Sequence, residues 1–451
     1  MHRAFGVCLC LAFVALPTYS AGVPTAAVRV DFSEVTLKNG LRVQLVEDHG
    51  TPVIAVNVAY DVGSRNERPG LTGFAHLFEH MMFKGSKNVG DGEHFYQVLT
   101  NGGSMNGTTS ADLTLYFESL PANQLELALF LEADRMRSLD ITQAKLDNQR
   151  QAVQEERRLR IDNQPYGRSY ERFDEVFYDN FAYKHSTIGS MEDLNSASVA
   201  DVAEFFRIYY APNNAVLTVV GDFKRDETLA LIRKYFEDIP RQPTPPAVDL
   251  KEPPQTAERR EALTDPLARA VQVLIGYKTE LGNGPDQAAL QVLSSVLQGG
   301  DSSRLYQSLS KDKELVTSIG GYVEERIGTG GFYITAMVRP DRKADAVEAA
   351  IYEEIAKVVQ QPIADWELQK ARNATRLGYL QSIRGAQTRA TILGTYTVLF
   401  RDPGLINTRL QRINAVTRED VQRVAKKYLQ ATARTVLTTS PASAAPTTPG
   451  A

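Results

Sequence analysis

The chain has 451 residues, of which 43% are apolar and 23% charged, and its formal net charge is -4 at neutral pH. That length exceeds what one hydrophobic core usually supports, so two or more domains are expected. Charges of both signs are interspersed without a long basic run, which argues against a nucleic-acid partner because phosphate binding needs a concentrated positive face.

At the N-terminus, His2 and Arg3 precede an apolar stretch that ends at Leu16. Pro17 breaks the stretch, and Thr18, Ser20 and Ala21 supply small residues for a cleavage site. This pattern predicts a signal peptide over residues 1–20 and an exported protein, in a bacterium a periplasmic one. The stretch is shorter than the roughly 20 residues a membrane span requires, and no later segment is long and apolar enough. Both cysteines, Cys8 and Cys10, fall within the signal, so the exported chain would have no disulfide and no thiol chemistry.

Residues 30–240 are expected to form a first domain. Residues 41–46 alternate and residues 53–60 are strand-rich, and the short His49-Gly50-Thr51 connection predicts a hairpin between them. Residues 74–83 have helical character, and residues 125–134 and 146–159 read as longer helices. Residues 241–257, with proline pairs at 245–246 and 253–254, read as an extended linker. A second domain is expected over residues 258–440. Residues 441–451 are Pro, Ala, Ser, Thr and Gly only, a composition that predicts a disordered tail.

The two halves look like diverged copies. Asn195, Asp201 and Tyr209 precede the apolar run 215–220, while Asn414, Asp420 and Tyr428 precede 435–439 at the same offset. Hairpins with helices grouped between them predict an α+β fold. Two homologous domains would each place helices on one face of a largely antiparallel sheet.

His76 and His80 are four residues apart, so a helix presents both imidazoles on one face, close enough to share a tetrahedral zinc ion. Glu79 sits beside them, where its carboxylate can take the proton of a metal-bound water. The order His-x-x-Glu-His inverts the commoner His-Glu-x-x-His arrangement. His49, His94 and His185 stand alone in sequence, and surface or local hydrogen-bonding roles are expected for them. For the third ligand, Leu146, Gln149, Val153 and Glu156 follow helical spacing, which puts Glu156 at the end of a mostly buried stripe. Glu155 points about 100° away, towards Gln151 and Arg158, as a solvated acid would.

The segment from Gly73 through His76, Glu79 and His80 to Gly85 is followed by Gly102-Gly103-Ser104-Met105-Asn106. Then come Asn148-Gln149-Arg150 with Glu156-Arg157, Ile188-Gly189 and Val220-Gly221-Asp222. In these motifs the chain resembles the pitrilysin/insulinase family of zinc peptidases, especially its short bacterial and mitochondrial-processing-type members. The resemblance covers residues 31–439. It implies that His76, His80 and Glu156 bind one zinc ion, with Glu79 as base and peptides as substrate. It also implies that the strand near Asn106 pairs with extended substrate; the flanking glycines leave a turn as the other reading of Asn106.

Two departures from the family pattern stand out. Gln149 occupies a place where members often carry a second glutamate, so any electrostatic role there is lost although hydrogen bonding is kept. Ser310 and Thr317 occupy the places of an Arg and a Tyr that hold substrate and stabilise the tetrahedral intermediate, and neither can supply a guanidinium or a phenol. Arg304 and Tyr306 belong to a structural helical stretch instead. The resemblance therefore implies a catalytic subunit that works with a homologous, Arg/Tyr-bearing partner. A self-sufficient homodimeric peptidase and a non-catalytic structural subunit are the alternatives.

Overall fold

The computed structural model describes residues 29–442, so the expected signal peptide, Cys8, Cys10 and residues 443–451 lie outside the described residues. Strands β1 (Ser33–Thr36), β2 (Arg42–Glu47), β3 (Val53–Tyr60), β4 (Ser104–Thr109), β5 (Thr114–Pro121) and β6 (Ala215–Gly221) form one sheet, ordered β1-β2-β6-β3-β5-β4. Strands β7 (Arg259–Asp265), β8 (Gln272–Leu281), β9 (Val316–Glu324), β10 (Thr329–Val338) and β11 (Arg434–Pro441) form the other, ordered β7-β11-β8-β10-β9. One pair in each sheet is parallel, β2 with β6 and β7 with β11, and the remaining pairs are antiparallel. The expected α+β class is what the chain adopts. Pro441, the first residue of the expected tail, is the last residue of β11.

The internal repeat is visible in the same order of strands and in local detail. Ser198 and Asp201 make a capping box at the start of the Val199–Tyr209 helix, and Thr417 and Asp420 repeat it before Arg418–Tyr428. Each helix then leads into the strand, β6 or β11, that sits between the parallel and antiparallel pairs of its sheet.

The expected β2–β3 hairpin does not form. β6 lies between the two strands, parallel to β2 and antiparallel to β3. Every residue of β6 is buried, so the sheet centre suits it better than an edge. The connection through residues 48–52 then spans only two strand spacings, about 10 Å.

Each half also covers part of the other. The Gly167–Phe177 helix of the first half sets Phe173 and Phe177 against Leu274 and Leu437 of the second sheet. The Ala386–Phe400 helix of the second half packs Ala390 and Leu393 against Ala55 and Val220 of the first. Gly394 makes that approach close: a β-carbon there would stand 2.8 Å from Asn57 Oδ1 and 3.2 Å from Ala59 Cβ. Residues 241–257 have neither helix nor strand and are tied down along their course. Asn180 Nδ2 donates to the carbonyls of Asp249 and Lys251, and Glu252 pairs with Lys278 at 2.6 Å.

Candidate metal centre

The Phe74–Met81 helix buries Phe74, Ala75, Leu77, Phe78 and Met81 in the first core, and this fixes the direction of its other face. A carboxylate holds its start: Glu67 accepts from the backbone N–H groups of Gly73 (2.9 Å) and Ala75 (2.7 Å). These are two of the donors a helix N-terminus leaves unpaired. His185 Nε2 lies 3.0 Å from Glu67 Oε2. Burial opposes the charged form of His185, but Glu67 outweighs it and raises the imidazole's pKa.

The expected pair sits on the open face. The His76 and His80 rings are 4.8 Å apart between centroids, at 83° to each other. Glu156, near the end of the Gln143–Arg157 helix, meets both of them. Its Oε2 is 3.5 Å from His76 Nε2 and 3.2 Å from His80 Nε2. The edge of a tetrahedron around zinc with bonds near 2.0–2.1 Å is about 3.3 Å, and both of these spacings are close to it. The other oxygen of Glu156 pairs with Arg160 at 2.7 Å. Glu155 turns away to Arg158 at 2.9 Å, as its helical phase predicts. Burial is the main cause holding His76 down to about 3, and burial also lowers His80. Both imidazoles are therefore neutral near pH 7, the form in which they coordinate a metal. Gln149 stands within hydrogen-bonding reach of His80 and works against that lowering.

Glu79 lies beside the cluster. Thr109 Oγ1 donates to its Oε2 at 2.6 Å, while burial pushes the carboxyl up to about 7. The neighbouring strand β4 is the sheet edge, paired only to β5 among the described residues. It passes close over Glu79 because residue 107 is glycine: a β-carbon there would come within 2.9 Å of Glu79 Cγ. Asn106 lies within β4, opposite Phe117, and is exposed, so it is a strand residue and not part of a turn.

The cluster of His76, His80 and Glu156 opens into a cavity of about 390 Å³ that the second half helps to line. His76, Thr109 and Glu156 face it from the first half, Glu324 and Arg326 from the β9–β10 hairpin. The hairpin is anchored by Asp112, which accepts from Ile327 N (2.8 Å) and Tyr183 Oη (2.9 Å). Nothing in the chain around Arg326 marks it in advance, since it reaches the site only through the packing of the two halves. Ser310 and Thr317 lie at the Tyr306–Asp312 helical turn and the start of β9. Arg304 is committed to Glu367 through two bonds of 2.7 Å.

His94 is not the isolated residue its sequence position suggests. It is buried with Glu118 and Glu132, three groups whose ligand atoms lie within 4.8 Å of one another. Arg135 neutralises Glu132, with Nε at 3.0 Å. Burial raises Glu118 to about 8 and lowers His94 to about 3, leaving a neutral acid beside a neutral imidazole. The one remaining negative charge, on Glu132, is already paired with Arg135. We read the cluster as structural.

Residues 42–189 match the family description Insulinase (Peptidase family M16), and residues 196–375 match Peptidase M16 inactive domain. All six histidines lie before the second match, so it holds no counterpart of the metal pair. Zinc protease PqqE of Helicobacter pylori is 33% identical over 434 residues, covering 96% of this chain and 98% of that protein. The probable mitochondrial-processing peptidase subunit beta of Arabidopsis thaliana is 24% identical, covering 87% of this chain and 75% of that one. The crystal structure of a protease from Helicobacter pylori superposes with a TM-score of 0.88 at 33% identity, covering 91% of this chain and 99% of that one. The first half of the periplasmic protease PqqL from Escherichia coli shares the fold, with a TM-score of 0.75 at 20% identity over 92% of this chain and 93% of that one. With its metal-type cluster on one half and the family's two matches in sequence along it, the chain belongs to peptidase family M16, the insulinase family.

Proposed function

We propose that this protein is an exported zinc metalloendopeptidase that hydrolyses short or unfolded peptides. The observation that carries the proposal is the convergence of His76, His80 and Glu156 at zinc-ligand spacing with Glu79 alongside. The likeness to a relative named as a zinc protease supports it. These three residues would hold one zinc ion per chain, which supplies a polarised water and a Lewis acid for the scissile carbonyl. Glu79 takes the proton of the attacking water on its carboxylate and returns it to the leaving amine. Thr109 keeps that carboxylate pointed at the site, and Arg160 holds the free oxygen of Glu156. The free edge of β4, with Asn106 exposed on it, takes the substrate backbone as an added strand.

Export rests on the signal-like N-terminus, and among the described residues no helix is long and apolar enough to cross a membrane. We assign the missing Arg/Tyr pair to a homologous subunit, because Ser310 and Thr317 cannot stabilise an oxyanion in its place. A self-sufficient enzyme is the second reading, and Arg326 in the metal cavity favours it. Hydrolysis of a quenched peptide by the chain alone, and mixed with a co-encoded homologue, separates the two. The proposal expects low activity alone and at least a tenfold rise with the homologue; full activity alone would leave only the self-sufficient reading.

A further inference from the structure

A larger cavity, about 520 Å³, shares no lining residue with the metal centre. It lies in the second half between the Gln287–Gln298, Leu405–Ala415 and Arg418–Tyr428 helices. Three arginines line it, and their commitments differ. Arg423 is paired with Asp286 at 2.5 Å and with Asp420 at 3.3 Å. Arg409 contacts Glu325, which also accepts from Gln291 at 2.5 Å. Arg412 donates to the Asn283 side-chain oxygen and has no carboxylate partner among the described residues. Burial and the like charge of Arg412 both disfavour the charged form of Arg409 despite the Glu325 contact. Arg412 is therefore the one arginine of the three whose charge is met by no carboxylate among the described residues.

A second observation is independent of that charge. Gln287 is only 5% exposed, lines the same cavity, and among the described residues has neither its amide nitrogen nor its amide oxygen hydrogen-bonded. Buried amides are almost always paired, so this one is a group awaiting a partner. Leu405, Ile413 and Val416 with Ala288 and Ala289 supply the apolar part of the wall.

We infer that this cavity binds a small aliphatic carboxylate, its head between Arg412 and the Gln287 amide and its tail against Leu405, Ile413 and Val416. One uncommitted guanidinium matches a monoanion better than a phosphate dianion, and a carboxylate accepts from both a guanidinium and an amide N–H. The apolar wall gives an alkyl tail the burial that an inorganic ion could not use.

The test is calorimetric titration of the full chain with octanoate and, separately, with inorganic phosphate. Octanoate is expected to bind at one site per chain, at least tenfold more tightly than phosphate. Arg412→Gln, an exposed position, is expected to weaken octanoate at least tenfold and leave the melting temperature without ligand unchanged. Gln287→Leu is expected to weaken octanoate while leaving the chain as stable or more so. No saturable binding, binding equal to that of phosphate, or binding untouched by Arg412→Gln would overturn the assignment. The last result would also place the carboxylate elsewhere, for instance on a metal at His76 and His80.

Discussion

Glu79 is useful only if its carboxylate stays where a bound water would lie, and two neighbours fix it there. Thr109 donates to one oxygen, and the bare α-carbon of Gly107 leaves room for the chain of Glu79 under the edge strand. Gly107→Ala should therefore displace Glu79 without touching a metal ligand. We expect kcat to fall by about tenfold to a hundredfold, the loss typical of a misplaced catalytic group, with zinc content unchanged. Unchanged kcat with intact zinc would show that the close approach is incidental. The buried Glu118 makes a second claim at this scale. Its pKa of about 8 is raised from the ordinary carboxylate value by burial, so the folded chain holds a proton that the unfolded chain releases. The stabilisation is fully present below the unfolded carboxylate pKa and is lost as pH rises through about 8. Glu118→Gln, neutral at every pH, should gain about 4 kcal/mol over the native chain at pH 8 and nothing near pH 4. Melting curves across that range check it, and a parallel pH dependence in the two proteins would contradict it.

Single elements explain which parts of the site were legible in the sequence. His76, Glu79 and His80 occupy one helical turn, so their spacing alone shows that they share a face. Glu156 was reachable through the phase of its own helix, because Leu146 and Val153 mark the buried side. Glu67, His185 and Arg326 were not legible, since each acts through a contact far away in the chain. The same limit misplaced β3. Alternation identifies a strand but says nothing of its neighbours, and the strand inserted beside it, β6, comes from the far end of the domain. Glu67 has a consequence that can be measured. It caps the metal helix by two backbone bonds, and caps of this kind are worth about 1–2 kcal/mol each. Glu67→Ala is expected to lower the melting temperature by several degrees and to weaken zinc retention under chelator challenge. Retention equal to that of the native chain would mean the helix start does not position the ligands.

Across the whole molecule, the halves are bound by exchange of helices as well as by the strap through residues 241–257. The second half's Ala386–Phe400 helix closes the face of the first sheet opposite the metal helix, and Gly394 is the point of closest approach. Gly394→Leu should force the helix off β3 and cost about 1–3 kcal/mol by overpacking. Limited proteolysis would then cut between the halves faster than in the native chain; equal rates would show that this seam does not hold them. The composition and repeat made two α+β halves legible, but exchange between them leaves no periodic trace in a sequence.

The central claim is that three residues hold zinc while a fourth moves the proton. Zinc content and peptide hydrolysis measured together on Glu79→Gln test it most directly, with the homologous subunit present in both assays. The account predicts one zinc ion per chain, as in the native protein, with hydrolysis lost by at least a thousandfold. Loss of the metal in this variant, or hydrolysis that persists with the metal in place, would contradict it.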